Sequence, residues 1–153
     1  MKTKPLLLSI ALAFAGLTPS LLAKDAPTQT VTIIANDSMK FSVTKIEASP
    51  GQKIAIVLKN EGAAPKEAMS HNWILLKAGN DPVAYATSAM SAKSEDYQPK
   101  SMTAKVLAST KLIGPKETAR TSFTAPTAPG TYPYLCSFPA HVQAGMRGVL
   151  IVK

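Results

Sequence analysis

Apolar and polar side chains alternate along much of this chain in short runs separated by Pro, Gly and Asn. Residues 31–35 are rich in β-branched side chains, and 41–48 place Phe41 and Val43 between polar neighbours. Residues 53–59 (Lys-Ile-Ala-Ile-Val-Leu-Lys) carry the densest apolar run and follow a Pro50-Gly51 turn signal. Further strands are predicted at 72–77, 105–113, 118–124, 131–136 and 149–153, with a loop at 60–66 and a turn at 126–130. The period changes in 79–103. Asp81 is a helix-capping residue, Pro82 suits a first helical position, and 84–93 is rich in Ala, Ser and Met. One short helix is therefore expected there, with 94–102 as loop. Eight short strands with turn signals between them predict an all-β fold, an eight-stranded Greek-key β-sandwich, interrupted by one helical flap.

The N-terminus follows a different pattern. Lys2 and Lys4 precede an apolar stretch from 6 to 17, which Thr18, Pro19 and Ser20 break. A basic start followed by about 12 apolar residues has the length of a secretory signal and is short for a membrane span. Residues 1–23 are expected to be a signal peptide with Ala23 before the cut, and 24–153 the exported domain, periplasmic in a bacterium. Residues 24–30 are polar and form a lead-in. The remaining chain has no long apolar run, so no membrane-spanning segment is expected.

Composition narrows the chemistry. A length of 153 residues suits one domain, and 46% hydrophobic residues supply a core. The formal charge is +8, reduced by two without Lys2 and Lys4. The lysines are spread along the chain with no aromatic-interleaved basic motif, which argues for solvated faces rather than nucleic-acid binding. A single Cys excludes an internal disulfide, zinc ribbons, iron–sulfur clusters and CxxC redox motifs. A free thiol in an exported protein needs burial or a bound partner.

That one Cys stands in a distinctive context. Cys136, His141 and Met146 are separated by four residues in each gap, between the end of one predicted strand and the start of the next. The other His, His71, lies 65 residues before Cys136, also at a strand end. Strand ends from both sheets of a sandwich meet at one pole. Each residue alone has an ordinary explanation, as a small apolar thiol, a packed His or a core Met. Together, one thiolate, two imidazoles and a weak thioether form the donor set of a type 1 copper site: His₂Cys with a distant axial Met. Zinc remains compatible with the Cys and His, though Met is a poor zinc ligand, and a Cys–His nucleophilic pair is conceivable but has no obvious orienting Asp or Asn and leaves Met146 unexplained. A filled ligand set leaves no open position for substrate, which argues against catalysis.

With His71-Asn72-Trp73, the stretch 110–114 (Thr-Lys-Leu-Ile-Gly), 136–141 (Cys-Ser-Phe-Pro-Ala-His) and Met146-Arg147-Gly148 in view, the chain resembles the blue-copper cupredoxins of the azurin and auracyanin type over nearly the whole exported part. The resemblance implies one copper ion cycling between Cu(I) and Cu(II), with His71, Cys136 and His141 as equatorial ligands and Met146 as the axial one. The carbonyl that azurins place opposite the Met falls on Ser70, where azurins have Gly. The resemblance assigns the amides of Asn72 and Phe138 to the Cys sulfur and ties the Asn72 side chain to the backbone of Ser137. Four residues between the loop His and Met match auracyanins, whereas azurins have three. The azurin disulfide is impossible here.

Met69, Phe138, Pro139, Ala140, Val142 and Ala144 are apolar and flank the ligand positions. In this family such residues surround the loop His, so His141 is expected to reach the surface as the electron port, with Met69, Pro139, Ala140, Val142 and Ala144 as a docking patch. The expected function is that of a soluble, monomeric one-electron carrier meeting redox proteins transiently, such as a c-type cytochrome or a membrane oxidoreductase. A periplasmic copper-binding or delivery protein is the alternative; the scattered Met39, Met90 and Met102 lack the clustering of an exchange site.

Overall fold

The computed structural model describes residues 27–153; the expected signal peptide lies outside them. Among the described residues, eight strands form two sheets. The strands are β1 (Gln29–Ala35), β2 (Lys45–Ala48), β3 (Lys53–Asn60), β4 (Ile74–Leu76), β5 (Val106–Ser109), β6 (Thr118–Thr124), β7 (Gly130–Leu135) and β8 (Arg147–Val152). One sheet has the order β1-β3-β6 and the other β2-β8-β7-β4-β5. β1 runs parallel to β3 and β2 parallel to β8, while the other pairs are antiparallel.

Alternation explains the packing. Ile54, Ile56 and Leu58 on β3 point inward with no exposed surface, and Lys53 and Lys59 point out. From the other sheet Trp73, Leu75, Tyr134, Leu135 and Leu150 close the core. Trp73 is its aromatic centre, 5.9 Å from the Phe123 ring and 5.4 Å from that of Tyr134. Tyr134 donates its hydroxyl to the Val43 carbonyl at 2.7 Å. Burial holds the Tyr134 hydroxyl well above its ordinary range. A Cβ on Gly148, opposite Tyr134 on β8, would come within 2.4 Å of that ring and 2.5 Å of the Thr44 carbonyl, so no larger residue fits there.

Three predicted strands are shorter than their patterns. The 41–48 run pairs as a ladder only at Lys45–Ala48, with Phe41 making a separate bridge to Ala35. The 72–77 run contracts to Ile74–Leu76 because a side chain replaces a ladder partner: the Trp73 amide donates to Thr110 Oγ1 at 3.0 Å. The 105–113 run ends at Ser109, and Ile113 returns as a bridge to His71.

Between β4 and β5 lies the flap. Helix α1 (Pro82–Ala89) is capped by Asp81, which accepts from the Val83 amide at 2.9 Å. The segment expected to be loop contains two 3₁₀ turns, Lys93–Glu95 and Lys100–Lys105. Between them Asp96 and Tyr97 both adopt left-handed backbone, with φ of 53° and 57°. Through Asp96 and Tyr97 the flap reaches Asn72 and Ser137, the residues that follow His71 and Cys136.

Candidate metal centre

The site is assembled from two segments. His71 sits just before β4, held by reciprocal backbone bonds with Ile113 at 3.0 and 2.8 Å. Cys136 follows β7 directly, and its amide donates to the Met146 carbonyl at 3.1 Å. That bond joins the two ends of the loop, so the chain leaves the sheet at Cys136 and re-enters it at Met146. Inside the loop the His141 amide donates to the Phe138 carbonyl at 3.1 Å and the Met146 amide to the His141 carbonyl at 2.9 Å. Ala140 takes a left-handed φ of 68°, turning the chain into His141.

Donor atoms of His71, Cys136 and His141 lie within 4.8 Å of one another, the one such group among the described residues. Cys136 Sγ is 3.4 Å from His141 Nδ1 and 4.0 Å from His71 Nδ1. The two imidazole rings are 4.9 Å apart. Met146 is fully buried. Together the four side chains have the arrangement of a type 1 copper site.

Electrostatics fit that cation. Burial pushes the His71 pKa down to about 4, against the weaker opposing pull of Asp37 and the Asn36 carbonyl. Burial and the nearby His71 push His141 to about 4 as well. Both imidazoles are therefore neutral near pH 7 and present lone pairs. Burial raises the Cys136 thiol to about 12, while the amides of Asn72 and Phe138 act in the opposite direction. A fully buried sulfur on which two backbone amides act is prepared for a thiolate whose charge a cation balances. Among the described residues, His71 Nε2 is buried with no hydrogen-bond partner within normal distance.

Polar ties surround the sulfur. Asn72 Oδ1 accepts from the Ser137 amide at 2.9 Å, and Asn72 Nδ2 donates to Ser137 Oγ at 2.9 Å. The two successive left-handed residues of the flap complete the network: Asn72 Nδ2 reaches the Asp96 carbonyl at 3.3 Å, and Ser137 Oγ donates to the Tyr97 carbonyl at 2.6 Å. Ser70 is fully buried beside His71, its hydroxyl donating to the Lys66 carbonyl.

Against the known proteins, the family model for copper-binding proteins of the plastocyanin/azurin family matches residues 28–153. The chain belongs to this family. An azurin of Pseudomonas fluorescens biotype C is 37% identical over 127 residues, covering 80% of this chain and 97% of its own. Auracyanin-B of Chloroflexus aurantiacus is 31% identical over 133 residues, 86% of this chain and 55% of its own length. Among solved structures, auracyanin A of the same organism, titled a "blue" copper protein, superposes with a TM-score of 0.72 at 34% identity, covering 83% of this chain and all of that one. The family is one of blue-copper cupredoxins, which are electron carriers.

The structure also alters the expected surface. His141 is 1% exposed and Val142 1%, so neither side chain is open to solvent. Val142 turns into the core because the loop folds tightly between Phe138 and Met146; it is not part of an outer patch. Ala140 is exposed, and Met69, Pro139 and Ala144 are half-buried. Residues that the sequence pattern did not single out also touch the site: Asp96 and Tyr97 through their carbonyls, and Lys40, whose ammonium donates to the Ala144 carbonyl inside the ligand loop. Sequence periodicity carries no signal for these contacts, since backbone carbonyls and an exposed lysine are chemically unremarkable. Among the described residues, no helix is long and apolar enough to cross a membrane.

Proposed function

We propose that this chain is an exported, soluble carrier of single electrons, with residues 1–23 as its export signal and 24–153 as the working domain. His71, Cys136 and His141 would hold the copper, with Met146 as a fourth, weaker donor. The observation that carries this reading is the dry cage itself: two neutral imidazoles and one amide-bonded thiol within 4.8 Å, closed by a buried Met. Copper, when bound, supplies a one-electron couple.

The protein's part is to keep one geometry in both oxidation states. The Ile113 bridge fixes His71, and the Cys136–Met146 bond fixes the loop. The Asn72–Ser137 bonds lock the two segments together. Ligands that do not move demand little rearrangement when charge changes, and amides on the sulfur tune its basicity. Burial of His71, Cys136 and His141 also excludes the added water a substrate-binding metal would need.

Exit and entry of the electron are assigned to the loop face next to His141, where Ala140 is exposed and Met69, Pro139 and Ala144 are half-buried. A small apolar surface of this kind supports brief encounters, with a c-type cytochrome or a membrane oxidoreductase as partner and the carrier acting as a monomer.

The test is copper(II) addition to the purified 24–153 chain. An intense blue absorption that disappears in Cys136→Ser supports the reading, and a colourless complex overturns it. In the same preparation Ala140→Asp is expected to keep the colour and slow electron exchange with a protein partner.

A further inference from the structure

Loop 36–40, between β1 and β2, provides none of the four copper-site side chains but touches both segments that do. Its base is pinned where Ala35 bridges Phe41, which is buried against the Tyr134 ring at 5.9 Å. The turn itself is set by the Met39 amide donating to the Asn36 carbonyl at 3.0 Å, with Met39 in left-handed backbone at φ 55°. On one side Asp37 accepts from the amides of Ala63 and Ala64 at 2.9 and 3.3 Å, in the loop leading to His71. A Cβ on Gly62 would fall 2.2 Å from Asp37 Oδ1, so this approach depends on a residue without a side chain. On the other side the Lys40 ammonium donates to the Ala144 carbonyl. Ala144 lies in the turn between His141 and Met146. Gly145 makes room for the ammonium: at its φ of 93°, a Cβ would stand 2.7 Å from Lys40 Nζ.

We propose that Lys40 is a positioning residue of the copper site, clamping the turn between His141 and Met146 and placing a fixed positive charge beside it. The inference rests on the copper reading above. Two physical effects follow from one contact. The charge-assisted bond restrains the peptide that leads into Met146, so the position of that thioether is held by a contact between Lys40 and Ala144, 104 positions apart in sequence. The positive charge favours whichever oxidation state has the lower metal charge, so it raises the reduction potential, more at low ionic strength than at high.

Three variants separate these effects. Lys40→Met retains the stem but removes charge and donor, Lys40→Gln retains a donor without charge, and Lys40→Arg restores both. In Lys40→Met copper affinity is expected to fall about 10-fold, the range seen when a partner that orients a ligand is lost. The potential is expected to drop in both Lys40→Met and Lys40→Gln and to return in Lys40→Arg. In the copper-free protein, amide exchange at Gly145 and Met146 is expected to quicken in Lys40→Met while the melting temperature barely moves, which separates a loosened turn from a lost fold. Unchanged affinity, potential and exchange in Lys40→Met overturn the inference, as does a potential that Lys40→Arg fails to restore. A parent chain that forms no blue complex overturns the copper reading and this inference with it; a blue parent with an indifferent Lys40→Met overturns this inference alone.

Discussion

Asn72 shows how much one side chain contributes here. Its amide acts on the Cys136 sulfur, its Oδ1 receives the Ser137 amide, and its Nδ2 serves Ser137 Oγ and the Asp96 carbonyl. Asn72→Leu fills a similar volume but leaves the Ser137 amide buried without an acceptor. Such a group costs about 1–3 kcal/mol, so chemical denaturation is expected to show a loss of that size. The reduction potential is expected to move as well, because Ser137 follows the ligand Cys directly. The importance of Asn72 was legible only through the resemblance that His71-Asn72-Trp73 carries, because an Asn beside a His has by itself the look of a turn residue. That its amide nitrogen would also reach the flap was not legible, because the acceptor is a backbone carbonyl exposed only by left-handed φ at Asp96 and Tyr97.

At the scale of elements, legibility followed how local the cause was. β3 is visible in sequence because Ile54, Ile56 and Leu58 alternate with less buried neighbours, and only Asn60 at its end is both buried and polar. Its match with β1 and β6 then needs only register. β4 and β5 were overextended because their ends exchange ladder bonds for Thr110 Oγ1 and for the His71–Ile113 bridge, partners that no local pattern reveals. The 3₁₀ turns of the flap were hidden for a similar reason, being too short for a period to register. β2 illustrates an element held partly by charge. It is a four-residue edge strand on β8, and Glu47 bonds Lys45 at 2.7 Å and Lys153 at 2.8 Å. Its hydrogen bonds to Lys153 and Lys45 draw the Glu47 pKa from 4.5 to about 2. A lowered folded pKa means a contribution present above pH 4.5 and lost as pH falls through 2. The melting temperature of Glu47→Gln is therefore expected to lie slightly below that of the parent at neutral pH, to converge with it on acidification towards pH 2, and to differ less in high salt, because the carboxylate is solvent-exposed.

For the molecule as a whole, the packing of the sandwich is expected to form the cage without help from a metal. Both sheets contribute to a core in which Trp73, Leu75 and Ile56 have no exposed surface, and the site residues are buried at its pole. A ligand that binds only the folded form stabilises it in proportion to the logarithm of its concentration over its dissociation constant. Free copper at 100 times that constant is expected to add about 2.7 kcal/mol, seen in calorimetry as a higher melting temperature that chelation reverses. A copper-free chain that melts without cooperativity would show instead that the cage is formed by the metal. The bond between the Cys136 amide and the Met146 carbonyl has a further consequence at this scale. Because it closes the ligand loop at its neck, a change of length at the exposed residues of that span is expected to leave the strand pairing on either side in place. Insertions or deletions inside the neck change how the metal is gripped and what face meets a partner, while the strands keep their register. The fold thus separates two variables: a scaffold set by the packing of the sheets, and a short loop that sets how the metal is gripped.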